Sequence, residues 1–322
     1  MAIVYATGSA LRPDDLIDKI RVALIANAAM GWVIDGTTPH VNGGIEHLHV
    51  SNPEGYWHIW CSAGNDQYIY MSVNSSFVSA GVAGGGEIAG VDARSNLLTG
   101  PYLSYHFFID PKAFRVVLEL NLNEYSHLMF GSITKYGTWT GGQFAQGMNW
   151  TDSDSTRDQG GSPYHDYPYR CNSTTSGYGY NHITANEAAV FSIRRFGFDT
   201  SAPWDYPVGG CVGGTELTGM TPVEAGNAYT NPTDWWNFIQ NQGQNVATGR
   251  TPMVPTYVFM RDGSYWVPLG EDLLVKALNI EAYTPKQVVD TDWMVFPLKT
   301  KKPYNGDDTF SSDMYGIAYK FQ

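Results

Sequence analysis

The chain has 322 residues, of which 43% are hydrophobic, 14% are aromatic and only 16% are charged. Such a chain can bury enough apolar surface to form a large core, which excludes an intrinsically disordered protein. Its formal net charge of −12 argues against a nucleic-acid partner, because binding to a phosphate backbone requires clustered lysine and arginine residues.

The three cysteines, Cys61, Cys171 and Cys211, are widely spaced and match neither a zinc module nor a disulfide framework. We expect reduced thiols, with a Cys171–Cys211 disulfide as the alternative. The first residues show no basic stretch followed by an apolar core, and no apolar run is long enough to cross a bilayer. We therefore expect a protein that is made in the cytoplasm and does not insert into a membrane.

A helix is predicted near the start of the chain, after a short apolar strand at residues 3–5. Pro13 presets the backbone for a first helical turn, and Asp14 and Asp15 complement the positive end of the helix dipole. Apolar residues then recur at helical spacing for about 15 residues up to Gly31, which predicts one amphipathic helix packed on a sheet.

Short strands separated by Gly, Pro, Asn or Asp follow at residues 32–35, 45–50, 56–61 and 67–73, as in an antiparallel meander. His47 and His49 are two residues apart and share a face of their strand, and His58 can lie on the neighbouring strand. Two histidines on one face can bind a transition metal, but no third ligand is placed beside them. We therefore predict hydrogen-bonding sheet residues, with no metal and no cofactor.

A hairpin is predicted at residues 103–122 with its turn at Asp110 and Pro111, and a further apolar strand begins at Tyr125. The stretch up to Trp150 then alternates aromatic rings with glycines, a composition that is typical of a contact surface.

Residues 151–187 are polar and rich in tyrosine. Asp152, Asp154 and Asp158 do not match a calcium loop, which requires Gly at its sixth position and Glu at its twelfth. The predicted interaction residues are Tyr136, Trp139, Phe144, Trp150, Tyr164 and Tyr167.

The C-terminal part again consists of strands: residues 188–196, a hairpin around Asp262-Gly263, and two strands near the end of the chain. A short helix is predicted at residues 234–240. The sequence thus predicts a mainly β fold of antiparallel sheets, as a sandwich or two packed sheets, with one N-terminal helix against them. The chain is predicted to form one β-rich unit, or two lobes at 1–150 and 188–322 that are joined by a long loop at 151–187.

Several motifs in one consistent order resemble a family of tailed-bacteriophage virion structural proteins. They are ATGSALRPDDLIDKI, YWHIWCSAG, YHFF and HLMFGSITKYGTWTGGQFAQG, followed near the end by DWMVFP and MYGIAYKF. The resemblance implies a tail or baseplate component that is assembled in the host cytoplasm, located in the virion and in contact with other virion proteins and with copies of itself. It implies no catalytic residues.

Two other functions remain as alternatives. A carbohydrate- or receptor-binding module would stack Trp139, Trp150, Tyr136 or Tyr164 on a host surface glycan. A glycoside hydrolase would need two facing carboxylates, and no rigid pair is predicted among the loop aspartates. No other catalytic motif is present, and we therefore predict a protein that is not an enzyme.

Overall fold

The computed structural model describes residues 3–62, 65–74, 76–81, 93–94, 100–122, 124–132, 144–148, 191–193, 253–259, 266–276, 285–288, 291–297 and 315–321. Within these ranges the chain forms antiparallel β-sheets, one α-helix and a short 3-10 turn. A mainly β, antiparallel fold with a single N-terminal helix is thereby confirmed. The predicted short helix at residues 234–240 lies outside the described residues.

The helix α1 spans Pro13–Ala26 and begins where the sequence predicted, with Pro13 at its first position and Asp14 and Asp15 in its first turn. It ends at Ala26, earlier than predicted, because a 3-10 turn at Ala28–Met30 follows it and Gly31 then adopts a positive φ of 84°. Leu16, Ile17, Ile20 and Leu24 are buried on one side of the helix, as its spacing indicated.

Sheet 1 has six strands in the order β1-β7-β8-β9-β10-β11. Its strands are β1 (Val4–Ala10), β7 (Tyr102–Ile109), β8 (Ala113–Asn121), β9 (Glu124–Ser132), β10 (Phe144–Met148) and β11 (Phe191–Ile193). The predicted β7–β8 hairpin is present, with Ile109 opposite Phe114 at its turn.

Sheet 2 has five strands in sequence order, which is the predicted meander. Its strands are β2 (Val33–Pro39), β3 (Ile45–Asn52), β4 (Gly55–Ser62), β5 (Asn65–Asn74) and β6 (Ala93–Arg94). Alternate residues of β3 and β4, namely Leu48, Val50, Trp57, Ile59 and Cys61, point into the core, because successive side chains of a strand face opposite sides.

Sheet 3 also has five strands, in the order β12-β13-β16-β15-β14. Its strands are β12 (Met253–Phe259), β13 (Trp266–Lys276), β14 (Pro285–Val288), β15 (Thr291–Pro297) and β16 (Tyr315–Lys320). Both predicted pairings are found: Phe259 lies opposite Trp266 in the hairpin, and Val295 lies opposite Ala318 in the terminal pair.

Sheet 1 lies between the other two sheets, so the described part of the molecule has three β layers. One face of sheet 1, with Phe107, Phe114, Val116 and Phe130, joins α1 and sheet 2 in a single buried cluster. Its opposite face contacts sheet 3, where the rings of Phe108 and Tyr319 stack with centroids 5.0 Å apart. This layering explains why seven consecutive residues of β8 are buried.

Candidate functional site

The predicted interaction residues fall almost wholly outside the part of the chain that the structure describes. Tyr136, Trp139, Trp150, Tyr164 and Tyr167 are not described. Phe144 is the first residue of β10, and its backbone pairs with that of Ser132. The clearest candidate site among the described side chains lies elsewhere, on the outer face of sheet 2.

The outer face of sheet 2 presents three histidines and two aromatic residues that the strand registers bring together. His49 pairs with His58, and Trp60 lies opposite both His47 on β3 and Tyr70 on β5. The expectation that His47 and His49 share a face beside His58 is confirmed. We call the set of His47, His49, His58, Trp60 and Tyr70 the ring cluster.

Four rings of the ring cluster form a column of nearly parallel planes. The centroids of His49 and His58 are 4.1 Å apart at an interplanar angle of 8°, and those of His58 and Trp60 are 4.3 Å apart at 19°. Tyr70 extends the column, with its centroid 5.3 Å from that of Trp60. His47 Nδ1 and His58 Nε2 share a hydrogen bond of 2.9 Å beside the column.

A short segment, residues 77–81, covers the histidine end of this column. The Gly81 amide donates a hydrogen bond of 3.2 Å to His49 Nε2, and the Phe77 ring packs at 56° to the His49 ring with centroids 5.2 Å apart. Gly36 makes room for that ring, because a Cβ built at Gly36 would lie only 2.6 Å from Phe77 Cζ. His49, beneath this segment, and His58, stacked between His49 and Trp60, are each only 4% exposed.

Burial keeps these imidazoles neutral at ordinary pH. Burial is the main cause that lowers the pKa of His49 to about 4, and the nearby His47 lowers it further. Burial, followed by His49 and His47, lowers the pKa of His58 to about 2. Burial also lowers the pKa of His47, against the opposing effect of the Glu46 carboxylate.

The ring cluster does not have the geometry of a metal centre. Metal ligands must direct their nitrogen lone pairs at one point, whereas the ring planes of His49 and His58 are nearly parallel and His47 bonds directly to His58. Among the described residues, no group of three or more His, Cys, Asp or Glu side chains is arranged to hold a metal ion.

Three polar atoms on β2 and β4 are buried without a hydrogen-bond partner among the described residues: Asp35 Oδ2, Thr38 Oγ1 and His58 Nδ1. Burial raises the pKa of the Asp35 carboxyl, and a hydrogen bond from Ser51 partly offsets this effect. Each buried polar atom without a partner costs free energy. These three atoms therefore remain able to form hydrogen bonds on this face of sheet 2.

A second polar group, which the sequence analysis missed, lies on the face of sheet 1 that contacts sheet 3. Tyr5 Oη is 2.7 Å from His106 Nδ1, His106 Nε2 is 3.2 Å from Ser104 Oγ, and Ser104 donates to Glu119 Oε2 at 3.1 Å. The spacing of Ser104 and His106 two residues apart on one strand was the available signal. The pairing of Ser104 with Glu119 required the register.

This arrangement is not a nucleophilic triad. The Ser104 hydroxyl donates to the Glu119 carboxylate, so His106 Nε2 must donate to Ser104 and cannot accept its proton. In a triad, the carboxylate accepts a hydrogen bond from Nδ1 of the histidine and so orients the imidazole. Here Nδ1 of His106 is hydrogen-bonded to the Tyr5 hydroxyl and not to a carboxylate. The chain from Tyr5 to Glu119 therefore orders four side chains rather than activating a serine.

None of the known family models matches the chain, and the comparison with curated proteins finds no match. In the part of the chain that the structure describes, no helix has the length and apolar character needed to span a membrane.

Proposed function

We propose that this protein is a structural component of a tailed-bacteriophage virion, in the tail or baseplate, that acts through protein–protein contacts. The observation that carries the proposal is the ordered set of motifs along the chain that resemble those of tailed-bacteriophage virion proteins. Charge-poor, ring-rich composition supports it, because the buried centres of protein interfaces are depleted in charged residues and enriched in aromatic ones.

The places that the motifs occupy in the fold support an architectural role. ATGSALRPDDLIDKI contributes to β1 and α1, the first seven residues of YWHIWCSAG lie in β4, and YHFF lies in β7. DWMVFP lies in β15 and MYGIAYKF includes β16, and these are two adjacent inner strands of sheet 3. These elements supply core residues of all three layers, so the resemblance concerns a framework rather than a reactive site.

The composition of the stretch between Ser132 and Trp150 supports contacts through aromatic rings. Trp and Tyr residues dominate the energetics of interfaces, and glycines allow close approach of another chain. In this proposal Trp139 and Trp150 contact neighbouring subunits of the particle.

A comparison of tryptophan variants tests this role. We expect Trp139→Ala and Trp150→Ala to leave the melting temperature nearly unchanged and to weaken incorporation of the protein into purified particles at least tenfold, since interface hot spots contribute about 2 kcal/mol or more. Trp57→Ala is the matched control. Trp57 is fully buried between the sheets, and its truncation should cost about 3–5 kcal/mol of folding stability.

Particle incorporation is measured by quantitative immunoblotting of gradient-purified virions, and cryo-EM of the same particles locates the protein. Absence of the wild-type chain from particles would overturn the proposal. Unfolding of both Trp139 and Trp150 variants would assign these rings to the core and overturn their role as contacts. Retention of normal incorporation by the folded variants would do the same.

A further inference from the structure

We propose that residues 77–81 are an acid-released cover, which stays closed over the outer face of sheet 2 while the imidazole of His49 is neutral. This inference is independent of the proposed function. It depends only on the contacts between the 77–81 segment, strand β2 and the ring cluster.

Among the described residues, a hydrogen bond and an aromatic ring hold the cover in place. The hydrogen bond runs from the Gly81 amide to His49 Nε2, and it requires a lone pair on that nitrogen. The ring is that of Phe77, which packs between His49 and the space left by Gly36. Gly81 itself lies close to β2, since a Cβ at that position would be 3.3 Å from Thr38 Cγ2.

Protonation of His49 removes the acceptor of the Gly81 hydrogen bond and gives the buried ring a positive charge. Imidazolium carries a proton on each nitrogen, so Nε2 can no longer accept the Gly81 amide. The new charge would also lie in a buried position, with its ring 4.1 Å from that of His58. Opening of the 77–81 segment would return His49 to water and relieve both costs.

The surrounding charged groups do not compensate for an imidazolium at His49. The Asp35 carboxyl on β2 has a raised pKa, so it loses its negative charge more readily than an exposed carboxyl does, and His58, with a pKa of about 2, stays neutral down to pH 4. Protonation of His47 can only add positive charge. Glu46 is closest to His47, with its Oε1 3.7 Å from His47 Nε2. The 77–81 sequence, FVSAG, contributes no charge. Among the residues that the structure describes, the titratable ones on or beside this face are Asp35, Glu46, His47, Tyr56, His58 and Tyr70, and the register places Arg94 of β6 opposite Tyr70.

The direction of the pH effect follows from the lowered pKa of His49. The closed state holds this pKa at about 4, whereas an exposed histidine has a pKa of 6.5. As the pH falls, His49 is therefore protonated at a higher pH in the open state than in the closed state. The closed state is fully favoured only above pH 6.5. The ratio of closed to open molecules should fall by a factor of about 80 between pH 6.5 and 4.

Electron paramagnetic resonance of a nitroxide at Ser79→Cys measures opening directly. Ser79 is exposed, and the label is placed in a chain in which Cys171 and Cys211 are replaced by serine. We expect an immobile label at pH 7.5 and a mobile one after acidification, with a midpoint between pH 6.5 and 4, while near-ultraviolet circular dichroism remains native. A label that stays immobile down to pH 4 in the native fold would overturn the proposal. So would a label that becomes mobile only together with loss of the native circular dichroism.

Three variants test whether His49 is the group that titrates and whether the Phe77 contact holds the cover. His49→Gln keeps an acceptor near the Nε2 position but cannot titrate, so the label should stay immobile down to pH 4. His106→Gln is the matched control, because His106 is also a buried histidine with a pKa of about 4 but lies on sheet 1. It should open as the wild type does. Gly36→Ala should displace Phe77 and give a mobile label already at pH 7.5.

Each variant can contradict the proposal. Acid opening of His49→Gln at the wild-type midpoint would show that another group titrates, and loss of opening in His106→Gln would have the same meaning. An immobile label in folded Gly36→Ala at pH 7.5 would contradict the role of the Phe77 contact. Far-ultraviolet circular dichroism at pH 7.5 verifies that each variant is folded.

Discussion

The carboxylate of Asp110 organises the turn between β7 and β8. Its Oδ1 accepts the backbone amides of Lys112 at 2.6 Å and Ala113 at 2.8 Å, and its Oδ2 accepts Arg115 Nη1 at 2.6 Å. Asp110 is 3% exposed and Arg115 is 5% exposed, so this ion pair is removed from water. One side chain thus closes the turn and neutralises a buried cation.

We expect Asp110→Ala to lower the free energy of unfolding by about 3–5 kcal/mol, because it removes the carboxylate beside a buried guanidinium. Asp18→Ala is the control, since Asp18 pairs with Arg21 on the partly exposed side of α1 and should change stability by about 1 kcal/mol or less. Urea unfolding followed by circular dichroism measures both. Equal losses in the two variants would contradict the importance of burial.

Sheet 1 is the element on which the other layers are built, and strand β9 fits against β8 through one glycine. Gly131 has a φ of 141° and lies opposite Ala113. A Cβ at this position would lie 2.6 Å from Ala113 Cα and still closer to the Lys112 carbonyl oxygen. A side chain is therefore excluded both by the backbone conformation and by the neighbouring strand.

Gly131→Ala should destabilise the protein by about 1–3 kcal/mol more than Gly31→Ala, since only the first adds an overpacked contact. Gly31 has a φ of 84° with nothing within 4 Å of an added Cβ, so its replacement should cost only the conformational term of about 1–2 kcal/mol. Chemical denaturation of both variants at one pH gives the difference. If the two variants lost the same stability, close packing at Gly131 would not be a constraint.

At the scale of the whole molecule, His127 connects sheet 1 to sheet 3. Its Nε2–H donates to the Pro297 carbonyl at 2.8 Å, and its Nδ1 therefore accepts the Tyr319 hydroxyl at 2.9 Å. Burial lowers the pKa of His127 to about 4, partly opposed by the bond to Pro297. The neutral imidazole joins residues that are 192 positions apart in the chain.

Acid should weaken this connection. The unfolded chain binds a proton at His127 near pH 6.5, whereas the folded protein binds it near pH 4, so the stabilisation is complete above pH 6.5 and is lost on acidification. His127 should account for about 3 kcal/mol of the stability lost between pH 7.5 and 4. Urea unfolding at pH 7.5 and at pH 4 measures the stability that is lost between them. In His127→Gln this loss should be smaller than in the wild type by the same amount.

Tyr319→Phe is the control for this pH effect. It removes the hydroxyl that donates to His127 Nδ1 but leaves the titrating imidazole buried, so most of the acid sensitivity should remain. An unchanged acid sensitivity in His127→Gln would contradict the assignment. Since His49, His58 and His106 are also buried with lowered pKa values, the wild-type protein should lose more stability in acid than His127 alone explains.

The candidate site illustrates how far local patterns reach. The two-residue spacing of His47 and His49 placed them on one face, because strand geometry alternates side chains whatever the fold. The stacking on His58 and the cover at residues 77–81 depended on the register of three strands and on the missing side chain of Gly36. The same limit applies to Glu119, whose serine partner is 15 positions away.

The sequence by itself determined the helix from Pro13, the hairpin turn at Asp110, the strand pairs near the C-terminus and the mainly antiparallel β class. These follow from local chemistry, namely ring constraints, turn hydrogen bonds and hydrophobic periodicity. Only the tertiary structure decided that sheet 1 is covered on both faces and that His127 reaches Tyr319 and Pro297. Contacts between residues so distant in sequence arise from packing of whole sheets, which no local pattern encodes.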